Sequence, residues 1–118
     1  MKKILVVDDQ SEVREFLSDF FRLKGFDVVL ASNGKEALRV LEEEQPDAAV
    51  VDVEMPILNG MQFCKKALAK KSTFPVLIIT AFLKKYSENE FFDLGVHSVL
   101  QKPIDLNILQ AEILKALH

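Results

Sequence analysis

Five short apolar segments recur along this chain, and a stretch with helical periodicity separates each from the next. KILVV (3–7), FDVVL (26–30), AAVVD (48–52), PVLII (75–79) and HSVLQ (97–101) are short and rich in branched side chains, so each reads as a buried strand. After the first, SEVREFLSDFFRLKG places Val13, Phe16, Leu17, Phe20 and Leu23 on an apolar stripe. Ser11 is the expected cap and Gly25 the expected stop. Asn33 heads a second helix, with Glu36 completing a capping box, and it ends near Glu44 before Pro46. A third helix is expected from about Gly60 to Lys70, burying Met61, Cys64 and Leu68. A fourth, more weakly signalled, spans about Lys84 to Leu94 and closes at Gly95. Asp105 caps a fifth, LNILQAEILKALH.

Strands that are nearly all apolar and joined by helices imply a parallel sheet covered on both faces. For five such units the expected arrangement is doubly wound, strand order 2-1-3-4-5, in an α/β domain spanning residues 1–118. Hydrophobic residues at 49% and charged residues at 28% fit a folded globular chain rather than a disordered one. No apolar run approaches the roughly 20 residues of a membrane span. The opening MKKILVVDD is stopped by aspartates and lacks a cleavage site, so it is no export signal. The single cysteine, Cys64, excludes an internal disulfide and fits a reducing cytoplasm. Lysines and arginines are scattered, at a net charge of −3, so direct nucleic-acid binding is not expected.

Function in such sheets lies beyond the carboxyl ends of the strands, near the switch point between strands 1 and 3. Strand 1 runs out into Asp8 and Asp9, and strand 3 ends in Asp52. Strand 4 leads to Thr80 and the small Ala81, and strand 5 to Lys102 and Pro103. Strand 2 leads to the uncharged Ala31 and Ser32. Three carboxylates at one edge raise one another's pKa. A lysine answers one charge and a divalent cation would answer the rest. An oxygen-only donor set favours Mg²⁺ or Mn²⁺ over zinc. A carboxylate beside a metal, a hydroxyl and a lysine is suited to accepting a phosphoryl group by in-line attack. Taken singly, each of these residues has a plainer use as a turn or helix cap; it is their convergence on one edge that points to a site.

Asp8-Asp9, the DVEMP segment with Asp52, the following LNG, Thr80-Ala81, Gly95 and Lys102-Pro103 stand in an order and spacing that resembles the receiver domain of two-component response regulators, with its flavodoxin-like (CheY-like) fold. The resemblance runs the length of the chain. It implies that Asp52 accepts a phosphoryl group from a sensor histidine kinase or phosphotransfer protein. It also implies that Asp8, Asp9, Asp52 and the backbone carbonyl of Glu54 serve a Mg²⁺ ion, Asp8 through a bound water. Thr80 is then the switch hydroxyl that moves toward the phosphoryl group, Lys102 the ion-pair partner of that group and Ala81 the residue that leaves room. A cis Lys102-Pro103 bond is the family habit. Output is expected at a protein-binding face of helix 4, strand 5 and helix 5, with a downstream protein as target and a phosphorylation-dependent homodimer as one outcome. Such a chain is not an enzyme, though it assists its own phosphotransfer and dephosphorylation. Val99 departs from the pattern, because the family usually carries an aromatic residue three positions before the lysine. Glu54 and Phe82 occupy positions that tune loss of the phosphoryl group.

Other readings differ in kind. The chain could be a receiver cut from a longer regulator with a DNA-binding or enzymatic output domain. A small aspartyl-phosphate phosphatase would want a second Asp where Glu54 stands, and room for a cap. A flavodoxin-like cofactor binder would want a phosphate-cradling loop where VVDDQSE is acidic. Phe82, Leu83 and Tyr86 are either packing or a partner patch. Phe91 and Phe92 are adjacent, so they cannot both face the core. Cys64 is expected in the core, His97 at a solvated edge, and Lys65, Lys66, Lys70 and Lys71 on a solvated helix face.

Overall fold

A computed structural model describes residues 1–53, 59–81 and 88–118. Its elements alternate as β1 (Lys3–Val7), α1 (Ser11–Leu23), β2 (Asp27–Ala31), α2 (Gly34–Glu44), β3 (Ala48–Asp52), α3 (Gly60–Lys70), β4 (Val76–Thr80), α4 (Glu88–Leu94), β5 (Ser98–Gln101) and α5 (Leu106–Ala116). The strands form one parallel sheet in the order β2-β1-β3-β4-β5, as expected from the alternation. In-register pairing of Val7 with Val51, and of Asp52 with Ile79, brings the carboxyl ends of the central strands to one edge.

Strand alternation divides the core between the two faces of the sheet. Leu5, Val7, Ala49, Val51, Val76 and Ile78 pack with Ala37 and Val40 of α2, Phe63 and Cys64 of α3, and Phe91 of α4. Ile4, Val6, Ala48, Val50, Leu77 and Ile79 pack with Leu17 and Phe21 of α1 and Leu109 and Ile113 of α5. Burying a side chain of this size contributes about 1.5–3 kcal/mol, so the strand positions that face both layers anchor the fold. Phe91 is buried and Phe92 exposed, as their adjacency requires. Cys64 is fully buried, and desolvation pushes its thiol up to about 12, which leaves it a core residue rather than a reactive one.

Several local expectations are corrected. Ser11 is the first residue of α1 rather than its cap; Gln10 holds the cap position and makes no side-chain capping bond. The apolar stripe is also rotated: Leu17 and Phe21 are buried, whereas Phe16 is 53% and Leu23 85% exposed. FLSDFF offers two overlapping stripes, and packing against the sheet selects between them. Phe21 meets both Phe20 and Phe26 edge-on. Phe26 lies outside β2 because it closes α1, its N–H reaching Phe21 O while Gly25, at φ 90°, donates to Arg22 O. β4 runs one residue later than expected, since Pro75 has no N–H to give the ladder, and β5 begins at Ser98.

Asn33 caps α2 by accepting from the Glu36 N–H, but the Glu36 carboxylate takes the Ser32 hydroxyl instead of closing a box. Among the described residues the complete capping box is at α3, between Asn59 and Gln62, a pair not expected from the sequence. Asp105 caps α5 as expected. Met61 is only partly buried. Lys70 pairs with Glu42 on the solvated side of α3. The start of the fourth helix before Glu88 lies outside the described residues. Among the described residues no helix is long and apolar enough to cross a membrane.

Candidate functional site

The parallel sheet delivers Asp8, Asp52, Thr80 and Lys102 to one edge because all of its strands end there. Asp8 extends β1 by one step, its N–H donating to Ala31 O of β2 at 3.2 Å. Its carboxylate then accepts the Gln10 N–H at 2.9 Å, a tight turn that starts α1. The Asp8 carbonyl accepts from Arg14 Nη1 at 2.6 Å. Asp52 is the last residue of β3 and only 4% exposed, and Asp8 is 3% exposed. Asp9 stands exposed beside them. One carboxylate oxygen from each of Asp8, Asp9 and Asp52 lies within 4.8 Å of the others.

Lys102 Nζ sits 3.6 Å from Asp8 Oδ2 and 3.6 Å from Asp52 Oδ2, so one ammonium bridges two buried carboxylates. Its backbone N–H donates to Thr80 O at 2.8 Å, tying the ends of β4 and β5 together. The Lys102-Pro103 bond is cis, as the resemblance implied. Thr80 is fully buried, and Ala81 is exposed just beyond it.

Desolvation raises the Asp8 pKa above the ordinary value of 3.8, and the Asp9 charge adds to the rise. The Gln10 amide and Lys102 oppose it without prevailing. A buried carboxyl that resists ionisation beside two more, with one bridging lysine, leaves an excess of negative charge that a dication would neutralise. The donors are all oxygens, which suits Mg²⁺ better than a softer metal. The cluster therefore fits the magnesium site of a receiver domain.

α3 is pressed against the same edge. A Cβ on Gly60 would lie 2.7 Å from both Asp52 O and Val53 Cα, and the Gly60 N–H donates to Val53 O at 3.2 Å. The sequence had suggested Gly60 as part of LNG and as the start of the third helix. Its close approach to the end of β3, and the Arg14 bond to the Asp8 carbonyl, are features that no spacing signal revealed. Val99 is a partly buried member of the core cluster under α2, α3 and α4. His97, at the far end of β5 from Lys102, is exposed, and its Nδ1 lies 2.7 Å from Ser98 Oγ, which donates to Glu112 at 2.7 Å. Glu54, Phe82, Leu83 and Tyr86 lie outside the described residues.

The family model for the response regulator receiver domain matches residues 4–114, and the chain belongs to that family. It is thus a receiver domain of two-component response regulators. It is 37% identical over 112 residues to the alkaline phosphatase synthesis transcriptional regulatory protein PhoP of Bacillus subtilis, covering 95% of this chain and 47% of that protein. It is 32% identical over 118 residues to regulatory protein AtoC of Escherichia coli, covering all of this chain and 26% of that protein. The chain therefore spans about half or less of these curated relatives. Among solved structures it resembles the response regulator TrrA of Thermotoga maritima in complex with Mg²⁺-BeF, at TM-score 0.91 and 28% identity, with 99% of this chain and 100% of that one covered. The chemotaxis protein CheY4 of Vibrio cholerae is similar at TM-score 0.91 and 28% identity, with 99% of each chain covered. The CheY-like fold expected from the sequence is thereby established.

Proposed function

We propose that Asp52 is the phosphoacceptor of a two-component relay. The observation that carries this reading is the gathering of the Asp8, Asp9 and Asp52 carboxylates within 4.8 Å at the end of the sheet, with Lys102 3.6 Å from Asp52. An Asp52 carboxylate oxygen attacks the phosphorus of a phosphohistidine on a sensor kinase or phosphotransfer protein. The new O–P bond forms as the P–N bond breaks, and the electron pair stays on the imidazole nitrogen. Asp8, Asp9, Asp52 and the Glu54 carbonyl would hold Mg²⁺, or Mn²⁺. When bound, the ion neutralises charge on the equatorial oxygens of the transferring group.

The chain's own residues do the rest. Burial of Asp52 keeps bulk water from the nucleophile. Lys102, now bridging Asp8 and Asp52, can turn its charge to the phosphoryl oxygens, and the Thr80 hydroxyl can donate to them, with Ala81 small enough to leave space. The phosphoryl group adds roughly −1.5 to −2 charge, and each hydrogen bond to it contributes about 1.5–3 kcal/mol. Inverting a 1:99 equilibrium takes about 5.5 kcal/mol, so these contacts supply most of the bias. The readout is a protein-binding face of α4, β5 and α5 that engages a downstream protein and can form a phosphorylation-dependent homodimer. Val99 removes the ring that usually couples the site to this face and leaves Thr80 to carry the signal. The domain acts in the cytoplasm as one receiver unit over residues 1–118, without contacting nucleic acid or membrane itself. It catalyses only its own phosphorylation and dephosphorylation. The greater length of its relatives favours a receiver that works within a longer regulator.

Incubation with acetyl phosphate and Mg²⁺ tests the central step. The expected result is a labile gain of one phosphoryl group that Asp52→Asn abolishes. Labelling that persists in that variant moves the acceptor elsewhere, and turnover of unrelated phosphate esters would favour a phosphatase.

A further inference from the structure

Asp9 is the exposed member of the carboxylate cluster, and among the described residues nothing donates a hydrogen bond to its side chain. The backbone from which it departs therefore sets where the carboxylate can reach. The peptide joining Asp8 to Asp9 is planar, so fixing its carbonyl oxygen also fixes the line along which the Asp9 Cα leaves. That oxygen accepts from Arg14 Nη1 at 2.6 Å. Arg14 is itself anchored in the first turn of α1, its N–H donating to Gln10 O at 3.1 Å, and its side chain is half-buried. The preceding groups are also held: Asp8 N–H by Ala31 O, and the Asp8 carboxylate by Gln10 N–H. Among the described residues no ion pair joins Arg14 to the Asp8 or Asp9 carboxylate. Arg14 thus engages the main chain between the two aspartates rather than either carboxylate.

We propose that Arg14 is a positioning residue: by clamping the Asp8 carbonyl it orients the Asp8-Asp9 peptide and so aims the Asp9 carboxylate at the dication site. The role presupposes the metal reading above. Residues that orient metal ligands without touching the ion typically govern about 10- to 100-fold of affinity. Because Arg14 acts through Asp9, its loss should matter only while Asp9 can ligate.

The test is a Mn²⁺ titration of the full chain, followed by electron paramagnetic resonance, for wild type, Arg14→Ala, Asp9→Asn and the double variant. The Asp9 amide nitrogen shift is recorded in chelator alongside. Arg14→Ala is expected to weaken Mn²⁺ binding about 10-fold, and the double variant to bind no more weakly than Asp9→Asn alone. The Asp9 nitrogen, which shares its peptide with the clamped carbonyl, should shift even without metal. Arg14→Gln replaces Arg14→Ala if the latter does not fold. Wild-type affinity in the Arg14 variant, losses that multiply in the double variant, or an unmoved Asp9 nitrogen each overturn the assignment alone. A wild-type chain with no Mn²⁺ affinity overturns the metal reading and the assignment together.

Discussion

As the proposed acceptor, Asp52 would carry two opposed demands, burial enough to exclude water and ionisation enough to attack. Without metal, its neighbours Asp8 and Asp9 repel it, and Lys102 is shared between Asp8 and Asp52. Like charges at this separation cost about 1 kcal/mol or more, depending on local screening. Asp52→Asn should therefore raise the melting temperature in chelator while losing most of the stabilisation that Mg²⁺ gives the wild type. A lower melting temperature in chelator would argue against repulsion. A second residue-scale case is Ser18, buried on α1 with a hydroxyl that finds no hydrogen-bonding partner among the described residues. Ser18→Ala removes an unsatisfied polar group and should stabilise the fold by about 1 kcal/mol. Urea unfolding midpoints would register the gain.

At the scale of elements, α3 begins where β3 ends, and only a glycine lets them come so close. Gly60→Ala would drive a methyl group into the Asp52 carbonyl and Val53 Cα, both backbone atoms with little freedom to retreat. Overpacking of this kind costs about 1–3 kcal/mol. Gly25→Ala offers a contrast. Its φ of 90° disfavours any side chain, yet nothing lies within 4 Å of the added carbon. Both variants should melt earlier, the second by about 1 kcal/mol. Only Gly60→Ala should also slow labelling of Asp52 by acetyl phosphate, because only there does the strain fall on the peptide of the proposed acceptor. Equal labelling rates in the two would detach α3 from the site.

For the whole molecule, a site of this kind should make stability depend on pH and metal together. The Asp8 pKa is raised in the folded chain, so the native state takes up a proton before the unfolded state does. Stability in chelator should therefore rise as pH falls from neutral through the raised Asp8 value, and the gain is fully present below the ordinary value of 3.8. Glu42 and Glu112 act in the opposite sense. The Lys70 hydrogen bond lowers the first and the Ser98 hydroxyl lowers the second, so their stabilisation holds above 4.5 and is lost below it as they protonate. Mg²⁺ needs ionised carboxylates, so its stabilisation should shrink over the range in which Asp8 takes up a proton. Melting curves with and without Mg²⁺ should converge as pH falls, and Asp8→Asn should remove the Asp8 contribution to the rise in chelator. Curves that stay parallel would remove Asp8 from the linkage.

Much of this was legible before any coordinates. Short apolar strands separated by amphipathic segments imply a parallel sheet with helices on both faces, because that arrangement buries those strands and satisfies their main chains. Placing Asp8, Asp9, Asp52, Thr80 and Lys102 at strand ends then follows from chain direction alone. Which face of α1 meets the sheet was not legible, because Phe16, Leu17, Phe20 and Phe21 satisfy helical periodicity two ways and only the shape of the opposing strands chooses Leu17 and Phe21. Nor were the Gly60 approach, the Arg14 clamp or the dominance of desolvation at Asp8, since each depends on distances between atoms remote in sequence. Periodicity is a property of one segment and is written into it, whereas contact between segments exists only once packing has fixed where they meet.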